Sequence, residues 1–167
     1  MTNTEISQKL IDVYEAKNLD YGNSAHTTFC EFGEVALVIR ISDKLSRFKT
    51  LLTSVGVNVA DESVLDTLGD AVTYLAMLIA DMSCYDRNAS REWNMQNDAN
   101  VAETKHTLAR IGRDATRDAN VPIAPERAEY YRNMLLGIWR EVTYDDIRMK
   151  QYEHLAKLLI EEYRCRA

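Results

Sequence analysis

The chain has 167 residues, 46% of them hydrophobic and 28% charged, with a formal net charge of −6 at pH 7. That length is enough to bury a core in one domain, and the acidic balance excludes general nucleic-acid binding, which draws on basic side chains to displace phosphate counterions. Six glycines and two prolines argue against a turn-rich β fold and for long helices.

Ile6, Leu10, Val13 and Tyr14 recur at helical spacing, so a first amphipathic helix is expected over about residues 4–17. Lys17-Asn18-Leu19-Asp20-Tyr21-Gly22-Asn23 reads as the turn that stops it. This segment places a cation, an acid, an aromatic ring and a glycine side by side, which suits the gripping of a base and phosphates. Thr28 followed by Glu31 is a capping-box pattern that predicts the start of a second helix. Along that helix Val35, Val38, Ile41, Leu45, Phe48 and Leu52 gather on one side. Arg40, Lys44 and Arg47 gather on the other, with Asp43 among them. A solvated ion-pair ladder explains this basic stripe as readily as phosphate contacts do. Glu34 falls inside the apolar sector, where a carboxylate costs several kcal/mol unless it is paired or metal-bound.

Val55 to Ala60 breaks the pattern, and Ala60 or Asp61 is the expected cap of a third helix. Its apolar stripe runs from Leu65 to Met82, while Glu62, Asp66 and Asp70 share another face at four-residue spacing. Alone, this is the profile of a surface helix with an acidic outer face. Together with Glu34 on a neighbouring helix, the acids offer a set of oxygen ligands suited to Mg²⁺ or Mn²⁺ rather than zinc. Residues of about 86–123 are polar and weakly periodic, with one short helix expected within 101–116. Ala128, Tyr131, Leu135, Ile138 and Val142 mark a further helix. Thr143 with Asp146 reads as the cap of a last helix carrying Leu155, Leu158, Leu159 and Tyr163.

The resulting expectation is an all-α bundle of about five to six helices, with a core over residues 1–85 and a helical extension over 86–167 packed on it. No apolar run approaches the roughly 20 residues needed to span a bilayer. The opening MTNTEISQKL lacks the basic and apolar regions of a signal peptide. Cys30, Cys84 and Cys165 form no disulfide framework. A cytoplasmic protein without membrane contact is therefore expected. Walker, G-x-G-x-x-G and G-x-S-x-G motifs are absent, and no cysteine–histidine spacing suggests zinc.

Three blocks carry a resemblance: Lys17 to Gly22; Arg40-Ile41-Ser42-Asp43-Lys44 with Arg47; and Asp61-Glu62 followed by Asp66-Thr67-Leu68 and Asp70 to Tyr74. Together they resemble the nucleotide-modification-associated domain 1 family, found mostly in phages, over about residues 5–82. More distantly, the paired acids are similar to the all-α NTP pyrophosphohydrolases of the MazG and dimeric dUTPase group. Glu31-x-x-Glu34 matches that group's E-x-x-E, whereas Glu62, Asp66 and Asp70 are spaced by four where it has E-x-x-D. The resemblance implies a MazG-like helical core, a homo-oligomer (a dimer or higher), a nucleotide ligand and, for a phage protein, the host cytoplasm. The leading expectation is a Mg²⁺-dependent pyrophosphohydrolase of a (deoxy)nucleoside triphosphate or modified nucleotide. In it Glu34, Glu62 and Asp66 are catalytic, and with Glu31 and Asp70 they hold the metal. Lys17, Asp20, Tyr21, Gly22, Arg40, Asp43, Lys44 and Arg47 bind substrate. The alternative is a non-catalytic nucleotide-binding or sequestering protein of phage origin. A purely structural bundle, the third reading, requires that Glu34 be rescued by a protein partner.

Overall fold

The computed structural model describes residues 1–53, 63–118, 121–122 and 126–167. Among these the chain forms eight α-helices and no strand: α1 Asn3–Tyr21, α2 Ser24–Phe32, α3 Val35–Thr53, α4 Val64–Cys84, α5 Arg91–Gln96, α6 Ala99–Asp114, α7 Arg127–Glu141 and α8 Asp145–Arg166. The expected all-α class is the observed one, with eight helices in place of five or six.

α1 begins in a capping box, in which the Thr2 hydroxyl accepts from Glu5 N–H and the Glu5 carboxylate accepts from Thr2 N–H. It does not stop at Lys17. Lys17 to Tyr21 form its last turn, and the chain leaves the helix at Gly22 (φ 61), whose N–H returns to the Asn18 carbonyl. Asn23 is also left-handed (φ 58), a conformation asparagine tolerates better than most side chains. The expected helix start at Thr28 is likewise corrected. Thr28 lies inside α2 with its hydroxyl donating to the Ser24 carbonyl at 2.9 Å. The break falls at Gly33, whose φ of 79 and ψ of −166 end α2 and are open to glycine alone at low cost.

α4 is the centre of the bundle rather than a surface helix. It packs against α3, α6 and α8, and Thr67, Gly69, Ala76 and Ala80 are buried along with Leu68, Leu75 and Leu78. Small residues let the surrounding helices approach closely enough to cover it. A Cβ added at Gly69, for example, would come within 2.9 Å of Leu10 Cδ2 on α1. The α4 N-cap is Ser63, in a capping box with Asp66. The break expected at Val55–Ala60 and the cap expected at Ala60 or Asp61 lie outside the described residues.

α1 packs on α6, α7 on α3, and α8 closes over α4. α7 follows its predicted stripe, burying Ala128, Tyr131, Leu135 and Ile138. α8 is preceded by Tyr144 as N-cap, without a side-chain capping bond, so Thr143 does not serve as the expected cap. One continuous core runs from Ile6 and Leu10 through Phe48 and Leu75 to Leu159 and Tyr163. Among the described residues no helix is long and apolar enough to cross a membrane.

Candidate functional site

The last turns of α1 and the middle of α3 and α4 enclose a groove. On α1, Val13, Tyr14, Lys17, Asn18 and Tyr21 line it at helical spacing; α4 adds Asp70, Thr73, Tyr74 and Met77, and α3 adds Arg40. This part has a volume of about 390 Å³. A second cavity of about 500 Å³ shares Val13, Lys17, Asp70 and Thr73 with it and adds Lys9, Lys44 and Asp66. Among the described residues that line the two cavities, Lys9, Lys17, Arg40 and Lys44 stand beside two acids, Asp66 and Asp70. These described lining residues carry a positive balance on a chain whose net charge is −6.

The charges are ordered. Lys17 Nζ lies 3.2 Å from Asp70 Oδ1, and Lys44 Nζ lies 2.9 Å from Asp70 Oδ2. The Arg40 guanidinium carbon sits 5.7 Å from the centre of the Tyr74 ring, within the range of a cation–π contact. Tyr21 stands at the rim, 68% exposed. The groove therefore combines cations from two helices with the Tyr21 and Tyr74 rings and the Asn18 amide, a set able to hold an anion beside a flat ring.

Of the residues expected to bind substrate, Lys17, Tyr21, Arg40 and Lys44 line this groove. Asp20, Gly22 and Asp43 are exposed and Arg47 is half-buried, all four outside its lining. Of the expected metal ligands, Asp66 and Asp70 line it. Glu31 is exposed at the end of α2, in a separate hollow beside Arg91 and Glu92, and Glu62 lies outside the described residues. Lys9, Asn18, Thr73 and Tyr74 were not singled out for the site from the sequence. The signal for Tyr74 was its four-residue spacing from Asp70, which stacks the two on one helix face.

Glu34 points inward as expected, but toward α8. Its carboxylate pairs with the Arg148 guanidinium and accepts a hydrogen bond from the Tyr152 hydroxyl. It lines a different cavity, of about 320 Å³, with Cys30, Tyr85, Arg87 and Asp145. Glu34, Asp66 and Asp70 are therefore not brought together. Among the described residues no group of three or more His, Cys, Asp or Glu side chains is placed to hold a metal ion. Glu34 is held by Arg148, Asp66 by its helix cap and Asp70 by two lysines. Glu34 is thus held apart from the other two, while Asp66 and Asp70 share one cavity and Glu62, a further expected ligand, lies outside the described residues.

A buried polar cluster at the α2–α4 contact has no counterpart among the sequence motifs. His26 Nδ1 lies 2.6 Å from Asp81 Oδ1, and His26 Nε2 lies 2.6 Å from the Asn94 carbonyl oxygen. Cys30 Sγ is 3.7 Å from the same Nε2. A carbonyl only accepts, so Nε2 donates to Asn94 and is not free to take a proton from the thiol. Burial pushes the Cys30 thiol up to about 11. Cys30, His26 and Asp81 thus form a structural contact and not an activated nucleophile.

Burial alone would lower the His26 pKa, but the Asp81 hydrogen bond and charge and the Asn94 and Asn97 carbonyls outweigh it, and the net shift is upward. Burial also raises Asp81. Both groups hold protons more tightly in the folded chain, so their contribution diminishes as pH rises. The His26 part is fully present below its ordinary 6.5 and is lost as pH climbs through the raised value. Urea unfolding from pH 6 upward should show this loss of stability in the wild type and a flatter profile in His26→Gln. Equal slopes in the two proteins would contradict it.

No protein-family model, curated protein or solved structure matches the chain.

Proposed function

We propose that the chain binds a nucleotide carrying a polyphosphate in the groove between α1, α3 and α4. The observation that supports this most directly is that Lys17 lines two adjoining cavities, one with Arg40, Tyr21 and Tyr74 and the other with Lys44. In this reading the lysines and Arg40 contact the phosphates, since each partly exposed cation gains more from a multiply charged ligand than from a single surface carboxylate. Tyr21 and Tyr74 offer faces for the base, and the Asn18 amide can both donate to and accept from its edge. The groove's combined space is of the size that ordinarily holds small ligands.

Calorimetric titration with a panel of ribo- and deoxynucleoside triphosphates tests this. Binding is expected for at least one member, weakened by about tenfold, or about 1.4 kcal/mol, in Arg40→Ala. No heat from any nucleotide would remove the reading. A product assay on the same samples addresses the hydrolytic reading, a Mg²⁺-dependent pyrophosphohydrolase. That reading is favoured by one observation, that Asp66 and Asp70 share the second cavity. Pyrophosphate release that requires Mg²⁺ would support it; tight binding without products supports the binder.

A further inference from the structure

We propose that Asp70 is a built-in counter-anion: it occupies the lysine pair that a ligand phosphate takes, and so sets the groove's affinity for polyphosphates. This rests on the nucleotide reading of the groove.

Lys17 comes from α1 and Lys44 from α3, and α4 lies between them with Asp70 at the seam of the two cavities. Each lysine meets a different oxygen of the one carboxylate, at 3.2 and 2.9 Å, as two cations would meet two oxygens of one phosphate. The three side chains remain accessible, with 55% of Lys17, 26% of Lys44 and 27% of Asp70 exposed. A pair so open to water is worth little to folding. It is therefore inexpensive to break, and an incoming anion can displace the carboxylate without disturbing the core. The acid is not neutral toward that anion. Two like charges competing for the same ammonium groups in a partly desolvated groove repel, and the ligand binds only as far as it outcompetes Asp70.

The consequence has a distinctive sign. If Asp70 were a metal ligand for the phosphates, removing its charge would weaken binding. As a counter-anion, removing its charge takes one competing anion away from the ammonium groups of Lys17 and Lys44 and strengthens binding. Asp70→Asn keeps the side-chain shape and deletes only the charge.

The test is titration of inorganic tripolyphosphate, and of dATP, into the wild type and Asp70→Asn at low and moderate salt, without divalent metal. Asp70→Asn is expected to bind tripolyphosphate about tenfold more tightly, the equivalent of about 1.4 kcal/mol, with the gain shrinking as salt screens the charges. Asp70→Ser, which also lacks the charge, should show the same direction and serves if the asparagine variant loses fold. In the wild type, saturating tripolyphosphate should shift the ¹³C resonance of the Asp70 carboxylate as the lysines leave it. Equal or weaker binding by the variants, or an unmoved Asp70 resonance in a saturated wild type, overturns the proposal. If the wild type binds dATP and Arg40→Ala weakens it, that failure leaves the nucleotide reading intact. If neither wild type nor variants bind tripolyphosphate or dATP, both fall.

Discussion

Arg148→Met should lower the unfolding free energy by about 3 kcal/mol, because removing one partner of a buried ion pair strands the other. Only 15% of the Glu34 side chain and 16% of the Arg148 side chain are exposed. Asp145, the guanidinium's other carboxylate neighbour at 3.4 Å, loses the same partner but is more exposed, so the cost falls on Glu34. Tyr152 continues to donate to Glu34, since burial pushes its hydroxyl up to about 12, but one neutral donor does not replace a guanidinium. The double variant Glu34→Gln with Arg148→Met should recover much of the loss, because it removes both charges at once. Urea unfolding of the four proteins measures the coupling. Glu34→Gln alone should leave nucleotide binding in the groove unchanged, since Glu34 lines another cavity. A folded Glu34→Gln protein that no longer binds or turns over nucleotide would return this acid to the functional site.

Gly112→Val is the second large effect, with an expected loss of about 3 kcal/mol from overpacking. At this point α6 crosses α1 so closely that an added Cβ would lie 2.1 Å from Ser7 Oγ, 2.6 Å from Ser7 Cβ and 2.8 Å from the Asn3 carbonyl oxygen. The Ser7 hydroxyl is itself fixed, donating to the Leu108 carbonyl at 2.6 Å. Deleting that hydroxyl would not make room, because Ser7 Cβ and the Asn3 backbone remain. The helices must move apart, and Leu108 and Ile111 lose contacts with them. Gly137 is the matched control: it also lies within a helix, α7, but has nothing within 4 Å of its virtual Cβ. Gly137→Ala should stabilise the chain by up to about 1 kcal/mol, the helix propensity difference alone. Thermal unfolding of the two variants should move in opposite directions; a Gly112→Val protein as stable as the wild type would contradict the close crossing.

The helical class was legible because local spacing suffices to show it, as with Ala128, Tyr131, Leu135 and Ile138 on α7. Two kinds of information were not local. Gly33 reads as one more small residue until its positive φ is known, so the pattern predicts one helix running on from Thr28 where the structure has α2 and α3. α4 reads as one apolar stripe with an acidic outer face, yet close approach by α1, α3, α6 and α8 buries Thr67, Gly69 and Ala76 as well. For the site, Lys17, Tyr21, Arg40, Lys44 and Asp70 were recognisable as residue types suited to a nucleotide. Their partners were not. Nothing in the sequence ties Lys17 and Lys44 to Asp70, and Glu34 finds Tyr152 at a separation of 118 positions.

The central place of α4 also bears on how the chain acquires its fold. Its covering helices come from both directions along the sequence: α1 and α3 precede it, α6 and α8 follow. Asn3 and Glu161 are joined by a hydrogen bond across 158 positions, and Ser7 and Leu108 across 101. Helices form quickly on their own, but closing loops of that length has an entropic cost before any contact compensates for it. The bundle therefore carries a higher contact order than an up-and-down arrangement of the same helices, which favours slower collapse to the native state. Until α8 docks, the apolar flank of α4 stays open to water and to other chains.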